Sequence, residues 1–207
     1  MSVFRAFIAV DLSPEVLDRL SQVVKGLREE IGDQAVRWVP IENMHLTLKF
    51  LGDVSLSNVD RVKEIIRTSA AGYPLFAVSV GGVGAFPSLL RARVVWAGVE
   101  GPPDLISVQR MIDMETARLG YASEDRPFKP HLTLGRVSRN ISSRDLQKIA
   151  QVLKDKKVGF LGVTQVKEVH LFRSDLQPSG SVYTRLFSAP LADKTNGSLK
   201  SLREPNK

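Results

Sequence analysis

Hydrophobic and polar residues alternate along this chain with two different periods. Apolar residues three or four positions apart indicate amphipathic helices, and strict alternation indicates half-buried strands. The helical spacing predicts four helices: Pro14–Ile31, Asn58–Ala71, Leu105–Leu119 and Ser143–Lys154. Alternation or short apolar runs predict strands at Val3–Asp11, Arg37–Pro40, His45–Leu51, Leu75–Val80, Arg93–Val99, His131–Val137, Val158–Val163, Val166–Phe172 and Val182–Phe187.

Glycines and polar residues predict where this pattern stops. We expect Gly52-Asp53 to end the strand that begins at His45, and the glycine-rich run 81–84 to form a turn. That run is not followed by the Gly-Lys-Ser/Thr of a phosphate-binding loop. Residues 192–207 are polar and predict a disordered tail after a domain spanning residues 1–191.

The order of elements occurs twice. Each half of the chain has a leading strand, a helix, a second strand, a second helix and a further strand. An internal repeat of this kind predicts two similar units related by a pseudo-two-fold axis. We therefore predict an α+β fold with two pseudo-symmetric lobes of antiparallel sheet, helices on the outer faces and a central cleft.

Composition narrows the function classes. The 207 residues contain no cysteine, which excludes disulfides, thiolate metal ligands and a cysteine nucleophile. The apolar segment Val3–Val10 is short and contains Arg5, and no run is long enough to span a bilayer, so we expect a cytoplasmic protein without a membrane partner. The net charge of +7 favours an anionic partner such as nucleic acid, and nothing in the sequence demands more than a monomer.

The second strand of each half carries the same tetrapeptide, His-Leu-Thr-Leu, at residues 45–48 and 131–134. Residues i and i+2 of a strand point to the same face, so His45 lies beside Thr47 and His131 beside Thr133. One neutral imidazole and one imidazolium can act as base and acid in a displacement at phosphorus, while the hydroxyls bind the phosphate oxygens. This scheme requires neither a metal nor a cofactor, and the motifs alone do not say which histidine is the acid.

Phe50 and Arg136 occupy equivalent positions, five residues after each histidine. Strict alternation places these positions on the face opposite the histidines. Arg136 would reach the phosphate if a bulge formed at Gly135, whereas no glycine precedes Phe50, for which we predict core packing. The remaining histidine, His170, lacks a partner threonine and is interpreted as structural.

Two alternatives remain beside the two-histidine enzyme. His45, His131 and His170 could hold zinc, but such a site would leave both threonines and the repeat unexplained. The basic chain could also be a non-catalytic module that binds RNA or nucleotides. Arginine or lysine would serve that role better than paired histidines.

The motifs resemble the 2H phosphoesterases, and among them the RNA 2′,3′-cyclic phosphodiesterases, also called 2′-5′ RNA ligases. The resemblance rests on residues 5–10, 37–40, 42–52, 128–136, 171–174 and 180–183. It implies hydrolysis of RNA 2′,3′-cyclic phosphate ends, or of small cyclic nucleotides, to 2′-phosphomonoesters without metal or cofactor. It further implies that His45 donates a proton and His131 accepts one, that Thr47 and Thr133 hold the phosphate with help from Arg136, and that the reverse reaction joins RNA through a 2′-5′ linkage.

Overall fold

The helices lie where their apolar spacing predicts them. The computed structural model describes residues 3–178 and 180–193. Within these residues the helices are α1 (Pro14–Ile31), α2 (Val59–Ala71), α3 (Pro103–Arg118) and α4 (Ser143–Asp155). The start of α1 follows from its sequence, because the Ser13 hydroxyl accepts a hydrogen bond from the Val16 amide and Pro14 occupies the first turn. None of these described helices is both long and apolar enough to cross a membrane.

The strands form two fully antiparallel sheets. They are β1 (Val3–Val10), β2 (Val36–Trp38), β3 (Leu46–Ser55), β4 (Phe76–Phe86), β5 (Val94–Glu100), β6 (His131–Val137), β7 (Phe160–Val166), β8 (Glu168–Gln177) and β9 (Gly180–Pro190). The first sheet has the order β3-β1-β8-β9 and the second the order β2-β6-β5-β4-β7. One hydrophobic core runs through both sheets and the helices that cover them. The predicted two-lobed α+β architecture is confirmed.

Each lobe contains strands and helices from both halves of the sequence. β4 belongs to the first half but pairs with β5, and β8 belongs to the second half but pairs with β1. The helices are exchanged as well, because α2 and α3 pack on the first sheet while α1 and α4 pack on the second. This exchange ties the two lobes together and leaves one face of each sheet free of helices.

Two glycine segments that were expected to interrupt strands lie inside strands. β3 continues through Gly52 to Ser55, and β4 continues through the run 81–84 to Phe86. Both predictions were wrong for the same reason. Gly52 and Gly82 adopt positive φ angles of 69° and 66° beside register shifts in their strands, so each is part of a β-bulge that absorbs an extra residue while the strand continues.

The chain after β9 remains attached to the domain at residue 192. The Ala192 amide donates a hydrogen bond of 2.8 Å to the Tyr73 carbonyl. Ala192 is therefore anchored, although the sequence predicts that the tail begins there. The rest of the predicted tail, from residue 194 onward, lies outside the described residues.

A buried lysine connects β3 to α3. The Lys49 side chain is fully buried, and its ammonium group binds the Asp113 carboxylate and the Ala122 carbonyl oxygen. Asp113 also accepts a hydrogen bond from the Glu124 amide. A buried ammonium ion is tolerated only with such partners, because desolvation of an unpaired charge is costly.

We expect Lys49→Ala to lower the free energy of unfolding by about 3 kcal/mol, because it leaves the Asp113 carboxylate without its buried partner. Urea unfolding with an unchanged m value measures this loss. Lys63→Ala is the matched control, since Lys63 pairs with Asp60 at the surface, where Asp60 is 92% exposed. That control should cost less than about 1 kcal/mol. Equal losses in the two variants would contradict the structural role of Lys49.

Candidate active site

The two repeated motifs lie where the helix-free faces of the sheets meet. His45 immediately precedes β3, His131 begins β6, and these two strands contact each other at the junction of the sheets. The leucines of each motif are buried in the core, while both histidines and both threonines are half-buried on the opposite face. The structure therefore places the two predicted histidine–threonine pairs on two strands that contact each other, on the faces opposite the core.

A β-bulge follows the threonine in each motif. β1 pairs with Thr47 and then with Lys49, skipping Leu48, and β5 pairs with Thr133 and then with Gly135. The skipped residue reverses the alternation, so position i+5 returns to the face that carries the histidine.

The bulges agree with the prediction for Arg136 and contradict the prediction for Phe50. The bulge expected near Gly135 is present, and Arg136 is exposed on the cleft face as required. Core packing of Phe50 was wrong, because Phe50 is 57% exposed and its ring lies 6.2 Å from the Phe7 ring. Lys49 occupies the inward position instead.

Both histidines have the same tautomer, set by the same contact. His45 Nδ1 lies 2.8 Å from the Asn43 carbonyl oxygen, and His131 Nδ1 lies 2.7 Å from the Lys129 carbonyl oxygen. A carbonyl oxygen only accepts, so Nδ1 carries the hydrogen in each ring and Nε2 is left for chemistry. A neutral ring can then accept a proton at Nε2, and a protonated ring can donate one.

Aromatic rings surround His45. Phe7 stacks on the imidazole with ring centroids 4.5 Å apart, Tyr183 approaches with its ring nearly perpendicular at 5.4 Å, and the Phe172 ring lies 6.2 Å from the imidazole. Burial lowers the pKa of His45 to about 4, and the Asn43 carbonyl and the Asp11 carboxylate offset only part of this effect. The free site therefore holds His45 as neutral imidazole at neutral pH.

His170 helps to support the aromatic wall, that is, the aromatic residues around His45. It is buried, its Nδ1 lies 2.8 Å from the Ser188 hydroxyl, and its Nε2 lies 3.5 Å from Asp11, which also binds Arg185. Burial lowers its pKa as well. In the described part of the chain no three metal-binding side chains come together, so His45, His131 and His170 do not form the zinc site considered from the sequence.

His131 has different surroundings. The Phe86 ring meets it edge-on at 4.9 Å, and Trp96 packs against Phe86. His131 opens onto a cavity of about 730 Å³ that Phe86 and Trp96 also line, together with Lys129 and Phe160. The two halves of the cleft thus share backbone geometry but differ in burial.

Several residues of the site had no role assigned from the sequence. Phe7, Phe172, Tyr183 and Asp11 surround His45 or its supporting residues, yet they come from β1, β8, β9 and the residue after β1. Segments containing three of them contributed to the family resemblance. Only the pairing of strands from both halves of the chain reveals that they meet at one histidine.

Comparisons with known proteins agree with this site. The family model described as LigT-like phosphoesterase matches residues 10–96 and again residues 99–183. The RNA 2′,3′-cyclic phosphodiesterase of Methanothermobacter thermautotrophicus is 39% identical over 180 residues, covering 87% of this chain and 95% of that protein. The protein of the same name from Thermotoga maritima is 31% identical, covering 88% of this chain and 93% of its own length.

Solved structures give the same result. A Thermus thermophilus protein aligns with a TM-score of 0.76 and 26% identity, covering 92% of this chain and 99% of its own. Escherichia coli LigT complexed with 3′-AMP aligns with a TM-score of 0.72 and 27% identity, with the same coverage. The fold and paired motifs define a two-lobed phosphoesterase of the 2H superfamily. The chain belongs to the LigT-like phosphoesterase family and is a hydrolase.

We expect the imidazole of His45 to titrate well below the ordinary value of about 6.5 in the free protein. Tyr183→Ala should raise this pKa because it opens the ring to water, whereas Val182→Ala, at the exposed neighbouring residue, should leave it unchanged. Because the unfolded chain binds this proton at higher pH, the free energy of unfolding should fall as the pH drops from about 6.5 towards 4.

NMR titration of the imidazole carbons, with His45→Gln to identify the resonance, measures the pKa directly. Urea unfolding of wild type and His45→Gln across the same pH range measures the linked loss of stability. A His45 midpoint near 6.5 in the wild type would contradict the effect of burial.

Proposed function

We propose that this protein hydrolyses RNA 2′,3′-cyclic phosphate ends to 2′-phosphomonoesters, with His45 and His131 as acid and base. The observation that carries the proposal is the pair of His-x-Thr faces on two contacting strands, each with Nδ1 bound to a carbonyl oxygen. Relatives that are named RNA 2′,3′-cyclic phosphodiesterases and resemble the chain over most of its length support the substrate class.

The proposed reaction is an in-line displacement at phosphorus. Nε2 of neutral His131 takes a proton from water as the water oxygen forms a bond to phosphorus. The bond between phosphorus and the 3′-oxygen breaks, and the 3′-oxygen receives a proton from Nε2 of His45. The 2′-oxygen keeps its bond to phosphorus, so the product is a 2′-phosphomonoester.

The acid role of His45 depends on the substrate. Burial keeps His45 neutral in the free site, but the negative charge of a bound phosphodiester favours the imidazolium. Substrate binding should therefore be accompanied by proton uptake at His45. Because the stacked Phe7 holds the ring in place, this change in charge requires no change in ring position.

The other cleft residues provide phosphate and base contacts. Thr47 and Thr133 donate hydrogen bonds to the non-bridging oxygens, and the Arg136 guanidinium binds the same anion from the second strand. Phe50, exposed beside His45, offers a ring on which the terminal base can stack.

Family membership bears on two alternatives considered from the sequence, a non-catalytic binding module and RNA ligation. Membership in an enzyme family argues against a non-catalytic RNA or nucleotide-binding module. The 2′-5′ ligation of RNA remains part of the proposal, because the same imidazoles catalyse attack by a 5′-hydroxyl in place of water. The cytoplasmic location and monomeric state remain predictions.

We expect the wild type to convert a short RNA ending in 2′,3′-cyclic phosphate to the 2′-phosphate in excess EDTA. His45→Gln and His131→Gln should each lower kcat/KM by about 100-fold or more, because general acid and base groups contribute roughly 10²–10⁴ each. His170→Gln is the matched histidine control and should lower activity far less than either motif variant, since His170 contacts Ser188 and Asp11 rather than the substrate. Chromatography against authentic 2′- and 3′-phosphates identifies the product.

Three outcomes of this assay would contradict the mechanism. They are a 3′-phosphate product, loss of activity with EDTA, and full activity in either motif variant. Circular dichroism of each variant excludes unfolding as the cause of a loss.

We expect Thr133→Val to lower kcat/KM by about 10- to 150-fold, because the hydroxyl donates a hydrogen bond to a charged oxygen. Thr133→Ser keeps that hydroxyl and should recover most of the activity. Steady-state kinetics on the same cyclic RNA compares the two variants. Equal losses would mean that packing of the threonine methyl group, rather than its hydroxyl, explains the effect.

A further inference from the structure

Three arginines line a second pocket at one end of the second sheet. Arg91 ends the short helical turn Leu89–Arg91 that follows β4, Arg93 precedes β5 directly, and Arg139 follows β6. All three are exposed, and together they line a pocket of about 280 Å³. Arg91, Arg93 and Arg139 are called the arginine cluster below.

The charge of the arginine cluster is not offset within the described residues. Its members take part in none of the ion pairs found there, and neither aspartate nor glutamate lines the pocket. A concave surface with charge of one sign attracts ions of the opposite sign. Because a guanidinium group presents N–H donors in a fork that matches phosphate oxygens, three of them in one pocket favour a phosphate ligand.

The first turn of α4 adds backbone donors to the same pocket. Ser142 and Ser143 line it, and α4 begins at Ser143. The Ser142 hydroxyl accepts a hydrogen bond from the Asp145 amide and donates one to the Asp145 carboxylate, which does not line the pocket. The amides of Ser143 and Arg144 have no acceptor within the described residues. Free amides at a helix N-terminus favour a phosphate, so they reinforce the preference that the arginines establish.

The arginine cluster lies close to His131 along the second sheet. Phe86, Val94 and Arg136 pair in one row across β4, β5 and β6, and the Phe86 ring meets the His131 ring edge-on at 4.9 Å. Arg93 follows directly beyond this row, because it precedes Val94 and its amide donates a hydrogen bond of 2.7 Å to the Phe86 carbonyl. A polyanion with one end at His131 can therefore also reach the cluster.

The lining of the pocket favours the phosphate of a nucleotide over its base. In the described part of the chain, the other side chains of the pocket are aliphatic or hydroxylic, and none is aromatic. A base therefore finds no ring on which to stack, which is the usual means of binding single-stranded bases. The net charge of +7 on the whole chain favours a polyanion over a single small anion.

We propose that the arginine cluster is a second anion site, which binds a backbone phosphate of single-stranded RNA away from the phosphate at the histidines. The inference rests on the proposed function for the identity of the polyanion and adds to it a contact remote from the reacting end. Because the contact is to phosphate rather than to a base, binding here is independent of sequence.

The test measures the affinity for a fluorescent RNA decanucleotide that ends in a 3′-hydroxyl, which the proposed reaction does not consume. Fluorescence anisotropy at several salt concentrations gives both the affinity and its salt dependence. The triple variant Arg91→Gln, Arg93→Gln, Arg139→Gln should bind this RNA about 10-fold or more weakly, because it loses hydrogen bonds to a charged group. The slope of log affinity against log salt should become shallower by about 0.7, the value for one phosphate contact on a single strand.

The matched control is the triple variant Lys25→Gln, Arg61→Gln, Arg110→Gln. It removes the same number of charges, from exposed side chains on α1, α2 and α3. This control should change the affinity by less than about threefold and leave the salt slope unaltered, because exposed charges away from the RNA are screened by salt. Circular dichroism and urea unfolding verify that both triple variants are folded.

A kinetic comparison applies the same variants to turnover. The substrates are an RNA decanucleotide that ends in a 2′,3′-cyclic phosphate and adenosine 2′,3′-cyclic phosphate, which has no further phosphate for the cluster to bind. In the cluster variant, the ratio of kcat/KM for the decanucleotide to kcat/KM for the mononucleoside should fall by about 10-fold, mainly through KM.

Three results would overturn the inference. The first is equal RNA affinity in the cluster variant and the control variant, and the second is an unchanged salt slope in the cluster variant. The third is tighter binding of inorganic phosphate than of RNA in calorimetric titration of the wild type, which would make a free anion the ligand. Failure of the wild type to hydrolyse either cyclic substrate, with RNA affinity still lowered in the cluster variant, would instead contradict the proposed function alone.

Discussion

The β-bulge after each His-x-Thr pair is the constraint on which the rest of the site depends. In an uninterrupted strand, the residue five positions after the histidine faces the core. By skipping Leu48 and Leu134, the bulges place Phe50 and Arg136 on the same strand face as the histidines. The residue before each of them must then face inward, and Lys49 and Gly135 occupy that position. The ion pair of Lys49 with Asp113 stabilises a geometry that would otherwise bury an unpaired charge.

The same backbone geometry supports two different environments. Both imidazoles donate from Nδ1 to the carbonyl of the residue two positions earlier, so their orientation is symmetric. The first sheet then surrounds His45 with Phe7 and Tyr183, while the second sheet leaves His131 open to a cavity. Because burial disfavours a charged imidazole, the surroundings of His45 lower its pKa to about 4.

The sequence predicts the parts of this structure that depend on local periodicity. Spacing and end signals predict the bounds of α1 at Pro14 and Ile31 and the two-lobed architecture. They also predict that His45 and Thr47 share one strand face. The errors at Gly52 and Phe50 share a different cause. A bulge changes the side-chain alternation without any change in composition, so a rule based on a period of two fails at that point. The sequence does not predict the aromatic residues around His45, because the exchange of strands between the halves brings these residues together.

Strand exchange also explains how two copies of one motif can come to have different surroundings in the same site. If each lobe were built from one half of the chain alone, equivalent residues would surround the two histidines. The oxygen that enters at phosphorus and the oxygen that leaves would then meet equivalent groups. Here β8 and β9 supply Phe172 and Tyr183 to the first histidine, whereas β4 supplies Phe86 to the second. The exchanged strands differ in composition, because β4 carries the glycine run and β8 carries aromatic and charged residues. The shared backbone geometry therefore holds the two imidazoles alike, and the exchanged strands give them different surroundings.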